Sequence, residues 1–273
     1  MIEQIRPGVS AQKARFVLFD FDGTVSLLRS GWVEVMVPMM VEILAELNTG
    51  ETEAQLGPVV EDFVARLTGK QTMYQMIELA RQVEIRGGKP LDPLVYKKAY
   101  LARLHDKIRH RLEELRGRKV PPEKYLVPGV RAFIEALAGM GLTMYLASGT
   151  DQEFMCEEAR LLDVDRYFHG VYGALDDYKS FSKQILIQRV IASSGCRGVD
   201  FLGFGDGYVE IENVKEVGGV AVGVATAEPE CRHVDQCKRK RLVGVGADFI
   251  IPNFLCHQEL LQILFPQREA RAL

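Results

Sequence analysis

One stretch decides the fold of this chain, Phe16-Val-Leu-Phe-Asp-Phe-Asp-Gly-Thr24. Its four leading apolar residues predict a buried strand, and Asp20 and Asp22 follow with one residue between them. Because burial of unpaired charge is costly, the two carboxylates indicate a cation, a partner or water at the strand end. Gly23 permits a sharp turn and close approach to a ligand. We interpret the stretch as a nucleophilic and an acid/base carboxylate around a hard metal ion; the alternative is an exposed turn that only ends a strand.

The composition is that of an ordinary globular protein. The 273 residues are 47% hydrophobic and 26% charged, with a formal net charge of −3. Mild acidity does not support nucleic-acid binding. Residues 1–15 show no secretory signal, and no run approaches the ~18 apolar residues of a membrane span. Five cysteines without framework spacing indicate reduced thiols, so we expect a cytoplasmic protein with neither nucleic-acid nor membrane partners.

Two features near the C-terminal end resemble binding sites, one for a metal ion and one for phosphate, but neither has the expected pattern. Cys231, His233 and Cys237 lack the spacing and the fourth ligand of a zinc site. Residues 228–241 are interpreted as a polar surface helix. Its basic run 238–241 is then a solvated helix end, where cations oppose the helix dipole, rather than a phosphate-binding patch.

Helical spacing replaces strand patterns between about residues 26 and 124. The apolar positions predict about four helices, and Asp92 and Pro93 are typical of an N-cap and a first-turn proline. The predicted domains are an α/β core over 1–27 and 124–273 and a helical insertion over 28–123. The helices are predicted near 32–47, 59–67, 73–80 and 94–116.

From residue 128 onward, apolar strands alternate with helices. This alternation predicts a doubly wound, mostly parallel, Rossmann-like sheet covered by helices on both faces. Ligands of such sheets bind beyond the carboxyl ends of the strands, so polar residues at those ends should share one crevice. The side chains expected there are Asp20, Asp22, Ser148, Thr150, Asp206 and, from the start of a helix, Lys183.

Four segments, in this order, resemble the motifs of the haloacid dehalogenase superfamily. They are Asp20-Phe-Asp-Gly-Thr24, Leu146-Ala-Ser-Gly-Thr150, Lys183, and Phe204-Gly-Asp-Gly-Tyr-Val-Glu210. The ordered set is specific, whereas each motif alone is a weak signal. The resemblance covers roughly residues 14–27 and 124–265. It implies a helical cap of the superfamily's first (C1) type and the branch of the phosphoglycolate phosphatases and β-phosphoglucomutases.

The resemblance also implies roles for the acidic residues. Asp20 would attack phosphorus and form an aspartyl-phosphate, and Asp22 would act as general acid and base. Mg²⁺ would be the cofactor, held by Asp20, by the backbone carbonyl of Asp22 and by Asp206. Glu210 stands where the family usually has a second acid, commonly Asp, and would contact the ion directly or through water.

Phosphate contacts are implied by the same resemblance. The hydroxyl of Ser148 and the amide of Gly149 would hold phosphate oxygens, with Thr150 and Gly23 in the same binding set. The N-terminus of the helix that follows would add positive potential.

Three positions remain alternatives or hypotheses. Lys183, at a helix start, is preferred over Lys179 as the lysine that steadies Asp20 and the phosphate. Lys70 or Gln71, in a loop between two helices of the insertion, is a candidate contact to the leaving group; the alternative is a plain turn. Arg29, just past the first motif, is a second candidate substrate contact.

The function that follows is a Mg²⁺-dependent phosphatase acting on a small phosphorylated metabolite, such as a sugar or polyol phosphate. Asp22 favours a phosphate ester, since dehalogenases and phosphonate-cleaving relatives lack this acid. The first alternative is a phosphomutase with the same chemistry, and the second is a non-catalytic binding protein that retains the fold. We expect a monomer or a small homo-oligomer.

Overall fold

The computed structural model describes residues 2–175, 177, 180 and 182–267 of the chain. The chain divides into two compact units, Met1–Ser30 with Arg111–Leu273, and Gly31–His110. We call the first the α/β unit and the second the helical unit. The division predicted from sequence, at 28 and 123, assigns residues 28–30 and 111–123 to the insertion, whereas they belong to the α/β unit here.

A seven-stranded sheet forms the centre of the α/β unit. Its strand order is β1-β7-β6-β5-β2-β3-β4, and every neighbouring pair is parallel except β1 with β7. The mostly parallel sheet predicted from the alternation is therefore confirmed; the short edge strand β1 was not predicted. The strands are β1 Glu3–Gln4, β2 Phe16–Asp20, β3 Thr143–Asp151, β4 Gly170–Ala174, β5 Phe201–Gly205, β6 Val220–Val224 and β7 Phe249–Ile251.

The helical unit contains the four predicted helices. They are α1 Val33–Ala45, α2 Glu53–Arg66, α3 Thr72–Ile85 and α4 Pro93–Arg116, of which α4 continues into the α/β unit. Asp92 caps α4, since its Oδ1 accepts the amide of Leu94 at 2.8 Å, and Pro93 is the first helical residue. The cap and proline predicted from sequence are therefore confirmed.

Six further α-helices lie in the described part of the α/β unit, and they alternate with its strands as predicted; the helix predicted over residues 228–241 corresponds to α9. Helix α9 starts later than predicted, at Gln236, because the Asp235 side chain caps it by accepting the amide of Lys238 at 2.8 Å. None of the helices in the described part of the chain combines the length and apolar character needed to span a bilayer. The six are α5 Val130–Gly139, α6 Gln152–Leu161, α7 Lys183–Ser194, α8 Tyr208–Glu216, α9 Gln236–Gly244 and α10 His257–Leu264.

Strand β2 lies between β3 and β5 and is buried along its whole length. Side chains alternate across a strand, so Phe19 faces one side, where its ring stacks on Phe204 at 4.7 Å between centroids. Phe16 and Leu18 face the other side, in a cluster with residues of α7 and α8. Asp20 shares that second face, so the strand register directs its carboxylate toward α7 and α8. The residues of these two helices in the cluster are Leu186, Ile187, Val190, Ile211 and Val214, and Ile191 packs against it.

Candidate active site

The carboxyl ends of β2, β3 and β5 bring the predicted motifs side by side. In the sheet register, Phe19 pairs with Leu146 on one side and Phe204 on the other. Asp20 therefore leaves the sheet beside the segment that leads to Ser148 and beside the one that leads to Asp206. Adjacent strand ends explain how residues far apart in the chain meet in one crevice.

Lys183 connects two buried carboxylates. Its Nζ lies 2.6 Å from Asp20 Oδ1 and also contacts Glu210 Oε1. Asp20, Lys183 and Glu210 are only 6%, 4% and 0% exposed. Ser182 caps α7 by accepting the amide of Ile185 at 3.1 Å, which makes Lys183 the first helical residue. The buried carboxylates are thus compensated by a single ammonium group.

The Asp20 carboxyl is in an environment short of positive charge. Burial raises its pKa to about 7; Lys183 opposes this increase, whereas the charges of Asp206 and Asp22 add to it. The three carboxylates are therefore close enough to repel one another. Such a group of oxygen ligands favours the binding of a hard divalent cation.

Asp22 is held by two hydroxyl groups of β3. Ser148 Oγ and Thr150 Oγ1 donate to Asp22 Oδ2 at 2.8 and 2.9 Å, and the amide of Thr150 donates to Ser148 Oγ at 2.9 Å. The other oxygen, Asp22 Oδ1, is buried and accepts no hydrogen bond from the described residues. The carboxyl group is thus oriented through one oxygen, which leaves the other for an incoming group.

Two glycines allow the acidic groups to approach closely. Gly23 has φ +75°, in the left-handed region, and a Cβ there would overlap the carboxylate of Asp206. At Gly205, a Cβ would lie 2.7 Å from Glu210 Cβ. The Asp-x-Asp-Gly turn therefore lies directly against Asp206, and the end of β5 lies directly against Glu210.

These residues fit a magnesium ion held mainly by two carboxylates. Within the described part of the chain, no three His, Cys, Asp or Glu side chains form a metal-binding group. Among the described residues, Asp20 Oδ2 accepts only a long hydrogen bond, 3.4 Å from Thr24 Oγ1, and Asp206 lies against the Asp-x-Asp-Gly turn, so these two residues are the candidate carboxylate ligands. A site with two carboxylates, completed by a backbone carbonyl and water, is usual for Mg²⁺. That Asp22 supplies the carbonyl, and that Glu210 contacts the ion, remain predictions.

Lys238 is a residue of this site that the sequence interpretation missed. Its Nζ lies 2.9 Å from Asp206 Oδ2 and 3.0 Å from Glu228 Oε1, and its side chain is 16% exposed. Burial would lower the pKa of Lys238, but these two carboxylates outweigh it and raise the pKa above its ordinary value. The interpretation of 238–241 as a solvated helix end is therefore wrong for Lys238. Asp235 is the sequence feature that could have indicated this pairing. As the N-cap of α9 it places Lys238 in the first turn of the helix, where the helix dipole disfavours a cation without a partner.

Arg29 forms a buried ion pair with Glu158 of α6. Its Nε lies 3.1 Å from both carboxylate oxygens and its Nη2 lies 2.7 Å from Oε1. The residues are 8% and 2% exposed. Burial raises the pKa of Glu158, and the guanidinium opposes that shift. This pair connects the segment after the first motif to α6; a substrate contact of Arg29 remains a prediction.

The ion pair predicts a stability effect that a substrate contact would not produce. Arg29→Met should lower the free energy of unfolding by about 3–5 kcal/mol, because it leaves Glu158 buried without its partner. Urea unfolding at pH 7 measures the loss, and Arg29→Met/Glu158→Leu should recover much of it. Unchanged stability of Arg29→Met, with a raised KM for substrate, would contradict a structural role.

The structure gives less information on two other predicted site residues, Lys179 and Lys70. Lys179 lies outside the described residues, and Lys183 is the lysine at Asp20. Lys70 lies in the turn between α2 and α3, with its Nζ 5.6 Å from the centre of the Tyr74 ring. Its predicted contact with the leaving group, and that of Gln71, remain predictions.

The fold and the ordered motifs define a class of protein. A family model described as a haloacid dehalogenase-like hydrolase matches residues 14–218. The chain belongs to this family, and the resemblance inferred from its four motifs is confirmed.

Individual relatives are more distant. A 5'-nucleotidase of Pseudomonas aeruginosa is 30% identical over 102 residues, which are 37% of this chain and 46% of that protein. The match thus spans less than half of that relative's length.

Solved structures share the fold over nearly the whole chain. A predicted phosphoglycolate phosphatase from Haemophilus somnus 129pt has a TM-score of 0.59 at 14% identity, covering 92% of this chain and 99% of that one. A β-phosphoglucomutase from Clostridium difficile has a TM-score of 0.54 at 12% identity, with coverage of 93% and 98%. At these identities the likeness concerns the fold alone.

Proposed function

We propose that this protein is a Mg²⁺-dependent phosphatase that hydrolyses a small phosphorylated metabolite through an aspartyl-phosphate. The observation that carries the proposal is the pairing of two differently held carboxyls at one strand end. Asp20 is buried against Lys183, and Asp22 is oriented by Ser148 and Thr150. Membership of a hydrolase family and the matched stretch of a 5'-nucleotidase support it.

Asp20 is suited to attack phosphorus. Lys183 holds Oδ1, while the only hydrogen bond to Oδ2 from the described residues is a long one, 3.4 Å from Thr24 Oγ1. Oδ2 is therefore the oxygen that would form the bond to phosphorus. When bound, Mg²⁺ would offset the repulsion between this carboxylate and an anionic substrate. Asp20 and Asp206 would hold it, with the carbonyl of Asp22.

Asp22 would move the proton in both halves of the reaction. Protonated Oδ1 would give its proton to the leaving alcohol oxygen as the bond between that oxygen and phosphorus breaks. The resulting carboxylate would then take a proton from water, whose oxygen attacks the aspartyl-phosphate and releases phosphate. The hydroxyls of Ser148 and Thr150 would keep the carboxyl group aimed during both steps.

Phosphate binding would involve the turn after β2 and the end of β3. Ser148 and Thr150 donate to Asp22, Gly149 lies between them in β3, and Gly23 follows Asp22 in the turn. We propose that these four residues bind the phosphate, and the first turn of α6 would add positive potential. We propose the helical unit as a cap that contributes specificity, with Lys70 or Gln71 touching the leaving group. A cytoplasmic location, and the absence of nucleic-acid and membrane partners, also remain proposals.

A panel of phosphorylated metabolites tests the function. With Mg²⁺, we expect free phosphate from at least one small phosphate monoester, and EDTA should abolish its release, since the carboxylates would then repel the substrate. ³¹P NMR separates free phosphate from an isomerised sugar phosphate. Isomer without free phosphate would identify a phosphomutase, and turnover unaffected by EDTA would contradict the metal requirement. No turnover by folded protein would favour a binding protein.

A further inference from the structure

The ion pair between Lys238 and Asp206 lies at the residue that would hold the metal. The Lys238 ammonium is 2.9 Å from Asp206 Oδ2, and it is shared with Glu228 at 3.0 Å. Glu228 follows β6, and Lys238 is in α9, so two segments beyond the fourth motif place a cation on a carboxylate of that motif. The Lys238 side chain is 16% exposed and that of Asp206 13%, so solvent screens the pair only weakly.

The local structure disfavours a lysine at this position unless it has a partner. Lys238 lies in the first turn of α9, where the positive end of the helix dipole repels a cation. The carboxylates of Asp206 and Glu228 offset that repulsion. Lys238 therefore adds a second positive charge, besides that of Lys183, to the acidic group formed by Asp20, Asp22 and Asp206.

We propose that Lys238 is a positioning residue, a built-in counter-ion that holds the Asp206 carboxylate in the metal-free protein and weakens Mg²⁺ binding there. This inference rests on the proposed function, because it takes Asp206 as a metal ligand. An ammonium on one oxygen of Asp206 repels a divalent ion on the other, and it withdraws electron density from the shared carboxylate. Glu228 limits the effect because it takes part of the ammonium's attraction.

Replacing Lys238 tests the inference through metal affinity rather than activity. Lys238→Met should lower the Kd for Mg²⁺, measured by calorimetry, by at least about tenfold, because the opposing charge is gone. Without metal, Lys238→Met should melt at a lower temperature than wild type. Saturating Mg²⁺ should raise the Tm of the variant by more than it raises the Tm of wild type. Lys238→Arg keeps the positive charge and should have the wild-type Kd for Mg²⁺. Lys240→Met, at an exposed position of α9, is the matched control and should leave this Kd unchanged.

A second pair of variants covers the case in which Lys238→Met does not fold. Glu228→Gln/Lys238→Met leaves no uncompensated carboxylate at Glu228, and it should bind Mg²⁺ more tightly than Glu228→Gln alone. An unchanged or weaker affinity on loss of Lys238, in both backgrounds, overturns the inference while a metal-dependent phosphatase activity of wild type stands. If wild type binds Mg²⁺ and Asp206→Asn binds it equally well, Asp206 is not a ligand, and both the metal site and this inference fail.

Discussion

Asp20→Asn is expected to reduce kcat/KM for a phosphate monoester on the order of 10⁴-fold or more, because an amide oxygen is too weak a nucleophile to form the phosphoryl bond. The substitution is nearly isosteric, so it removes charge without creating a cavity. Release of free phosphate from the metabolite that wild type hydrolyses best, with Mg²⁺ present, measures the loss. Asp62→Asn, in which an exposed carboxylate of α2 is changed in the same way, should retain full activity.

Measuring the stability of this variant distinguishes a catalytic loss from unfolding. Burial raises the pKa of Asp20 from 3.8 to about 7, so between these values the folded metal-free protein binds more protons than the unfolded chain. Its stability should therefore fall as the pH rises through this window, and Asp20→Asn should lack this part of the decline. If Asp20→Asn has wild-type turnover, Asp20 is not the nucleophile, and a binding role for the site is favoured.

Lys183→Met is expected to cause the largest loss of stability among single substitutions at the site. The ammonium is the group that compensates Asp20 and Glu210, and all three residues are almost fully buried. Loss of one partner from a buried ion pair costs about 3–5 kcal/mol, since the remaining charges stay desolvated without compensation. Urea unfolding at pH 7 without metal measures this loss, and Lys13→Met, at an exposed position, should have almost no effect.

A double-mutant cycle separates the ion pair from side-chain packing. Glu210→Gln removes one of the two buried negative charges, so Lys183→Met should cost less in that background. The difference is the coupling free energy between Lys183 and Glu210. If the losses of stability from the two substitutions are additive, the ammonium does not bridge the two carboxylates. If Lys183→Met is as stable as wild type but inactive, Lys183 serves phosphate binding alone.

Local patterns were sufficient for the elements that carry the site. The apolar run before Asp20 predicts β2, Asp92 with Pro93 predicts the start of α4, and Lys183 was predicted at the start of α7. Because side chains alternate along β2, the position of Asp20 in the strand determines that its carboxylate lies on the same sheet face as Phe16 and Leu18. Periodicity and capping depend on neighbours within a few residues, so a single sequence contains them. The short strand β1 has only two residues and offers no such period.

Which opposite charge a buried side chain pairs with depends on residues that are far apart in the sequence and meet only in the fold. Arg29 and Glu158 are separated by 129 positions, and nothing around either residue indicates the other. Lys238 belongs to a basic run that is typical of an exposed helix, yet its ammonium contacts Asp206. An isolated charge carries no information about which opposite charge will compensate it on burial, because that depends on the packing of several elements.

By itself, the sequence determined the α/β class, the order of the four motifs and the identity of the acidic residues, since each is a property of short segments. Only the tertiary structure decided which oxygen of Asp22 is engaged, that Glu210 pairs with Lys183, and that Lys238 holds Asp206. The reason is physical: each buried charge takes the partner within hydrogen-bond distance, and the meeting of strand ends and helix starts determines that distance.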